Sequence, residues 1–125
     1  MEFIGIGNDI IEIKRIEKAI KNSNFIKKVF TENEIKLFEI KGNRVETYAG
    51  RFAVKEAISK SLGTGFRDFS LTDIEVLNDD LGKPYVIFKN NIEEFNKKYS
   101  VNISISHCKE YATAVAITFK RSDIY

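Results

Sequence analysis

The sequence predicts an α+β fold in which a mainly antiparallel sheet packs against a long central helix. Three observations carry that prediction. Residues 45–52 place Val45, Tyr48, Ala49 and Phe52 at helical spacing, the pattern of a face laid on a core. The stretch "VNISIS" at 101–106 alternates strictly, Val101, Ile103 and Ile105 against Asn102, Ser104 and Ser106, as a half-buried strand does. Residues 111–119 alternate again, with Tyr111, Thr113, Val115, Ile117 and Phe119 on one face and Ala112, Ala114 and Ala116 on the other. An alanine face lets a helix approach closely, and the central helix is the longest and most apolar available.

The remaining elements follow in order. "FIGIGN" at 3–8 reads as a short strand whose Gly5 and Gly7 leave one face bare for close backbone approach. Asp9 then opens a helix, with Glu12 three places on as in a capping box and Ile10, Ile13, Ile16 and Ile20 as its apolar face through Lys21. A second capping box, "TENE" at 31–34, starts a short helix that turns Ile35 and Phe38 inward and stops near Gly42. The central helix runs from about residue 44 to residue 62, and Gly63 suits its left-handed cap. Residues 71–77 and 85–88 form a hairpin across the turn "NDDLGKP", and "NNIEEFNKKY" reads as a helix. The strand at 101–106 ends at His107.

At 125 residues the chain is expected to form one domain, residues 1–125, with a single core. With 43% apolar and 30% charged residues it reads as a soluble globular chain, and no apolar run approaches a membrane span. The start "MEFIGIGNDI" lacks the basic region and apolar core of a signal peptide, so a cytoplasmic location is expected. One cysteine, Cys108, and one histidine cannot build a structural zinc site or an internal disulfide. A net charge of +2 is too small to argue for nucleic acid, and the strands show no aromatic platform for RNA bases.

The chemistry concentrates where the apolar stripe of the central helix turns charged. Continued by the helical period, the stripe meets Glu56 and Lys60, either an ordinary i, i+4 pair on a solvated face or the wall of a polar site. Asp9 and Glu56 are candidates for a magnesium site, since Mg²⁺ is held by one or two carboxylates together with water and phosphate oxygens. Asp9 reads equally as a helix N-cap, and a helix N-terminus keeps a carboxylate ionised for a metal. His107 stands at a strand end from which a side chain reaches a ligand, although a lone histidine also fits a structural role. Gly63, Thr64 and Gly65 present backbone N–H groups, but without the Lys-Ser/Thr that a P-loop needs. Lys14, Arg15, Lys18 and Lys21 share the side opposite the isoleucine stripe, either as solvated charge or as a landing surface for an acidic partner.

Taken together, "GIGNDIIEIKRI" at 5–16, "RFAVKEAISKSLGTG" at 51–65 and "SISHCKEYATAVAI" at 104–117 closely resemble the holo-acyl-carrier-protein synthases, the small 4'-phosphopantetheinyl transferases. The "GKPY" turn at 82–85 fits the same pattern, so the resemblance spans essentially the whole chain and implies that family's fold. It implies a Mg²⁺-dependent transfer of phosphopantetheine from coenzyme A to a serine of acyl carrier protein, in fatty acid biosynthesis, with adenosine 3',5'-bisphosphate released. By the same resemblance Asp9 and Glu56 hold the magnesium, and Lys60 contacts the coenzyme A phosphates. Glu56 is the preferred base, and Arg51, Lys55 and His107 are expected at the nucleotide phosphates. The resemblance further implies a homotrimer with coenzyme A between subunits and His107 acting across an interface.

Overall fold

A computed structural model of the chain describes residues 1–63 and 69–122. In order it forms β1 (Glu2–Glu12), α1 (Ile13–Ala19), α2 (Ser23–Val29), α3 (Glu32–Ile40), α4 (Val45–Ser61), β2 (Ile74–Asn78), β3 (Pro84–Phe88), α5 (Phe95–Lys98), β4 (Tyr99–His107) and β5 (Tyr111–Lys120). Two antiparallel sheets result, a three-stranded one in the order β1-β5-β4 and the β2-β3 hairpin. Both pack on α4, as the alanine face and the helical stripe predict. Ala114 and Ala116 of β5 are buried with Ala53, Val54, Ala57 and Ile58 of α4, while Ala112 joins Tyr48 and Ala49. The expected bounds of the central helix are close to those found: Arg44 and Leu62 are its caps, and Gly63 follows with φ +78°. Among the described residues no helix is long and apolar enough to cross a membrane.

The core has two lobes along α4. Ile58, Leu62, Ile74, Val76, Phe88 and Ile92 fill the one beneath the hairpin. The other is aromatic: Phe30, Phe38 and Tyr48 pack together, with Phe38 and Tyr48 centroids 4.1 Å apart, over Ile13 and Ile16 of α1. Between them lies a buried ion pair, Lys55 Nζ to Glu34 Oε1 at 2.6 Å, with both side chains inaccessible. Glu34 also accepts from the backbone N–H groups of Thr31 and Val76, so one carboxylate joins α3, α4 and β2. Burial pushes Glu34 above the ordinary carboxylate range, opposed by the charge of Lys55.

Several boundaries move. Asp9 does not open a helix: β1 continues through Glu12 in register with β5, pairing Asp9 with Ala114 and Glu12 with Tyr111. Glu12 is the N-cap of α1 and makes no side-chain cap bond. The isoleucines that suggested a helical face also satisfy a strand, and pairing with β5 decides between the two readings. The second capping box forms as read, with Thr31 and Glu34 bonded reciprocally. Helix α2, capped by Asn22 Oδ1 on the Asn24 N–H at 2.8 Å, has no counterpart in the sequence reading. Residues 71–73 and 90–92 are 3-10 turns, and the helix expected at 90–99 shrinks to the four residues of α5. Asn90, with φ +57°, interrupts any longer helix there.

Candidate active site

The site is built where β1 crosses α4. Alternation along β1 turns Gly5, Gly7, Asp9 and Ile11 towards the helix and leaves Ile6, Asn8 and Ile10 exposed. Without side chains at 5 and 7, the strand lies directly on the helix backbone. A Cβ built on Gly7 would overlap the Ala57 carbonyl oxygen and stand 2.8 Å from both Lys60 Cβ and Ser61 N. The next inward residue is Asp9. Lys60 spans the crevice, donating from Nζ to the Asn8 carbonyl at 2.9 Å and to Asp9 Oδ1 at 3.2 Å.

Glu56 stands one helical turn before Lys60 and is half-buried. Desolvation holds its carboxyl above the ordinary glutamate range, and the nearby charge of Asp9 adds to the rise while Lys60 opposes it. With the Asp9 charge disfavouring its ionisation, Glu56 forms with Asp9 a donor set whose crowded negative charge a divalent cation would relieve. Among the described residues no cluster of three or more His, Cys, Asp or Glu could hold a metal. Two carboxylates are too few for zinc but suit Mg²⁺, which completes its octahedron with water and substrate phosphate.

A groove of about 560 Å³ opens further back along α4, between that helix, the hairpin and β4. Lys41, Arg44, Arg51 and His107 line it against one acid, Glu46, which pairs with Arg44 at 3.0 Å. Arg51 is buried, its Nη2 bonded to Asn78 Oδ1, and its Nε finds no hydrogen-bond partner among the described residues. The groove is therefore cationic, with room for an anionic small molecule. Asp9, Glu56 and Lys60 do not line it, but Glu56 follows Arg51 by five residues, about 7.5 Å along the helix.

The expected site residues thus separate into groups. Asp9, Glu56 and Lys60 converge, and Arg51 and His107 share the groove. Lys55 does not join them. All three of its ammonium donors are used, by Glu34 and by the Val29 and Leu71 carbonyls, and its side chain has no access to solvent. It is a core residue here rather than a phosphate contact. Thr64 and Gly65 lie outside the described residues. Lys14, Arg15 and Lys18 on α1 and Lys21 just beyond it are all exposed. Lys41, Arg44 and Asn78 were missed by the sequence reading. The "KGNR" run at 41–44, two cations flanking a glycine turn next to a helix start, was the available signal; Asn78 carried none.

Comparison with known proteins points to one family. The family model described as the 4'-phosphopantetheinyl transferase superfamily matches residues 5–116. A holo-acyl-carrier-protein synthase of Fusobacterium nucleatum is 59% identical over 118 residues, covering 91% of this chain and 97% of that protein. The crystal structure of a Bacillus anthracis holo-acyl-carrier-protein synthase in complex with CoA (3',5'-ADP) is similar at 44% identity and TM-score 0.80, covering 98% of this chain and all of that one. The Helicobacter pylori synthase in complex with coenzyme A is similar at 32% identity and TM-score 0.79, covering 90% and 98%.

Proposed function

We propose, from the premise that this chain belongs to the holo-acyl-carrier-protein synthases of the 4'-phosphopantetheinyl transferase superfamily, that Asp9, Glu56 and Lys60 are the centre at which its reaction takes place. That reaction moves 4'-phosphopantetheine from coenzyme A to a serine of apo acyl carrier protein and releases adenosine 3',5'-bisphosphate. The observation that carries the assignment is the convergence of two carboxylates and one ammonium in the crevice between β1 and α4.

Asp9 and Glu56 would hold Mg²⁺, which neutralises charge on the pyrophosphate when bound. Arg51, His107, Lys41 and Arg44 receive the nucleotide end of coenzyme A in the groove, where the charges of Lys41, Arg44 and Arg51 match its phosphates. Gly63, just beyond the Leu62 cap of α4, would offer its backbone N–H to the same phosphates. Phosphoryl transfer is chiefly positioning and electrostatics, so the residues have two tasks. Glu56 accepts the serine hydroxyl proton at its carboxylate as the new P–O bond forms. Lys60 uses two donors to fix its position on Asn8 and Asp9, and its charge faces the departing phosphate.

The exposed side of the three-stranded sheet supports assembly into a trimer. Phe3, Ile6 and Ile10 of β1 are each more than half exposed and lie beside Phe119, Ile117 and Thr113 of β5. An apolar face of that kind is covered by further copies of the chain. Lys14, Arg15, Lys18 and Lys21 form the surface to which the acidic carrier docks.

The test is to incubate the protein with apo acyl carrier protein, coenzyme A and limiting Mg²⁺ and to weigh the carrier by mass spectrometry. The wild-type chain adds one phosphopantetheine per carrier, and Asp9→Asn and Glu56→Gln add almost none. Near-normal modification by Asp9→Asn would overturn the assignment, because Asp9 caps no helix whose loss could confuse the result.

A further inference from the structure

Gly7 carries no functional group, yet it occupies the point at which the two walls of the crevice meet. Its α-carbon faces the Ala57 carbonyl of α4 with no room for a methyl group, and it lies two residues before Asp9 just as Ala57 lies one residue after Glu56. The Lys60 side chain leaves the helix over the same spot, its Cβ only 2.8 Å from where a Gly7 Cβ would stand, on its way to Asn8 and Asp9. The backbone contact therefore lies within a few residues of all three converging side chains. Gly5 makes a similar contact further along, against the Ser61 carbonyl at the last residue of α4. There the three atoms nearest to it all belong to the Ser61 backbone.

We infer that Gly7 is a positioning residue: its bare α-carbon, seated on the Ala57 carbonyl, sets the separation of the Asp9 and Glu56 carboxylates and hence the affinity of the pair for a divalent cation. This rests on the reading of Asp9 and Glu56 as metal ligands. Backbone close to a ligand set is commonly packed without Cβ atoms for closeness alone; here the two glycines differ in what lies beside the contact. A Gly7→Ala substitution moves strand and helix apart where the carboxylates are, since the obstructing atom is helix backbone that cannot swing aside. Gly5→Ala creates a comparable clash at the end of α4, away from them.

The distinguishing measurement is Mn²⁺ affinity, read from the electron paramagnetic resonance signal of the free ion and needing no turnover. Circular dichroism first confirms that each variant is folded at the working temperature. Gly7→Ala should bind Mn²⁺ about 10- to 100-fold more weakly, as when the support of a metal ligand is lost. Gly5→Ala should melt lower but bind Mn²⁺ close to the wild-type value. A folded Gly7→Ala with wild-type affinity, or equal weakening by both glycine variants, overturns the inference. Should Gly7→Ala not fold, Asp9→Glu in the otherwise native chain replaces it: with the walls fixed by the Gly7 contact, one added methylene spoils the span and weakens Mn²⁺ by about tenfold or more, and unchanged affinity overturns the inference. Wild-type protein that binds Mn²⁺ no better than the Asp9→Asn, Glu56→Gln double variant overturns the metal reading itself, an outcome separate from the failure of Gly7.

Discussion

Lys55 and Lys60 stand five residues apart on α4, and each pairs with one carboxylate: Lys55 with Glu34 at 2.6 Å, Lys60 with Asp9 at 3.2 Å. The first pair has no solvent access on either side. The second leaves 55% of the Lys60 side chain and 17% of that of Asp9 exposed. Lys55 has three partners for three donors, whereas the observed bonds of Lys60 leave one donor for a ligand. An ion pair read from sequence says little about role. Whether the charges are satisfied within the protein or left incomplete at its surface separates a structural pair from a functional one.

The comparison breaks most decisively at Lys55. Lys55→Ala leaves the Glu34 carboxylate buried without its cation, and the protein should lose about 3–5 kcal/mol of stability, measured by urea unfolding. Lys55→Met with Glu34→Leu should recover part of that loss, since it removes both buried charges, although the Thr31 and Val76 N–H groups then lose their acceptors. Loss of turnover in Lys55→Ala without loss of stability would show instead that Lys55 belongs with the site.

Lys60→Ala should do the reverse. Removal of one charge facing the departing phosphate lowers kcat by about 10²–10³-fold, while the exposed ion pair contributes no more than about 1 kcal/mol to the fold. Rapid-quench turnover and a thermal melt on the same sample check both halves.

The raised proton affinity of Glu56 sharpens the contrast through pH. A group whose pKa is raised in the folded protein takes up its proton at a higher pH than an ordinary glutamate does. Protons therefore compete with a cation as the pH falls through that range, weakening Mn²⁺ binding by at most about tenfold per pH unit. Above that range affinity is flat, and Glu56→Gln should bind weakly with the slope removed. Calorimetric titrations across the acid range would show it.

The smallest effect is expected on the exposed face of α1, which takes part in neither pair. Changing Lys14, Arg15 and Lys18 to glutamate should raise KM for the carrier by about tenfold at low salt. The difference should fade as the screening length shrinks from about 10 Å at 0.1 M salt to about 3 Å at 1 M. KM for coenzyme A should hold steady, and an unchanged carrier KM across the salt range would place docking on another face.

Legibility from the sequence follows the same division between local and long-range determinants. The helix over Val45–Ser61, the capping box at Thr31 and the alanine face of β5 were readable because short repeats or neighbouring residues encode them. The true extent of β1 was not, since Asp9 to Glu12 become strand only by pairing with residues about a hundred positions away. The converging triad was readable as motifs in the resemblance, while its geometry depends on a strand lying on a helix. Lys55 was misplaced for an instructive reason: beside Glu56 in "VKEA" it looks like part of the same charged run, but adjacent helical residues point about 100° apart and one of them faces the core. The basic residues of the groove other than Arg51 and His107 lie in a turn whose position only the fold reveals.

The order of the larger sheet also has a consequence in time. β1 leaves the ribosome well before β5, against which it takes its place in a register that sets Glu2 opposite Lys120. At the usual pace of synthesis the N-terminal strand waits about 5–20 s for its partner, with Phe3, Ile6 and Ile10 already translated. For that interval it is an unpaired apolar edge, the kind of segment that chaperones hold and that aggregates join. Newly made chains should therefore be vulnerable until β5 has been translated.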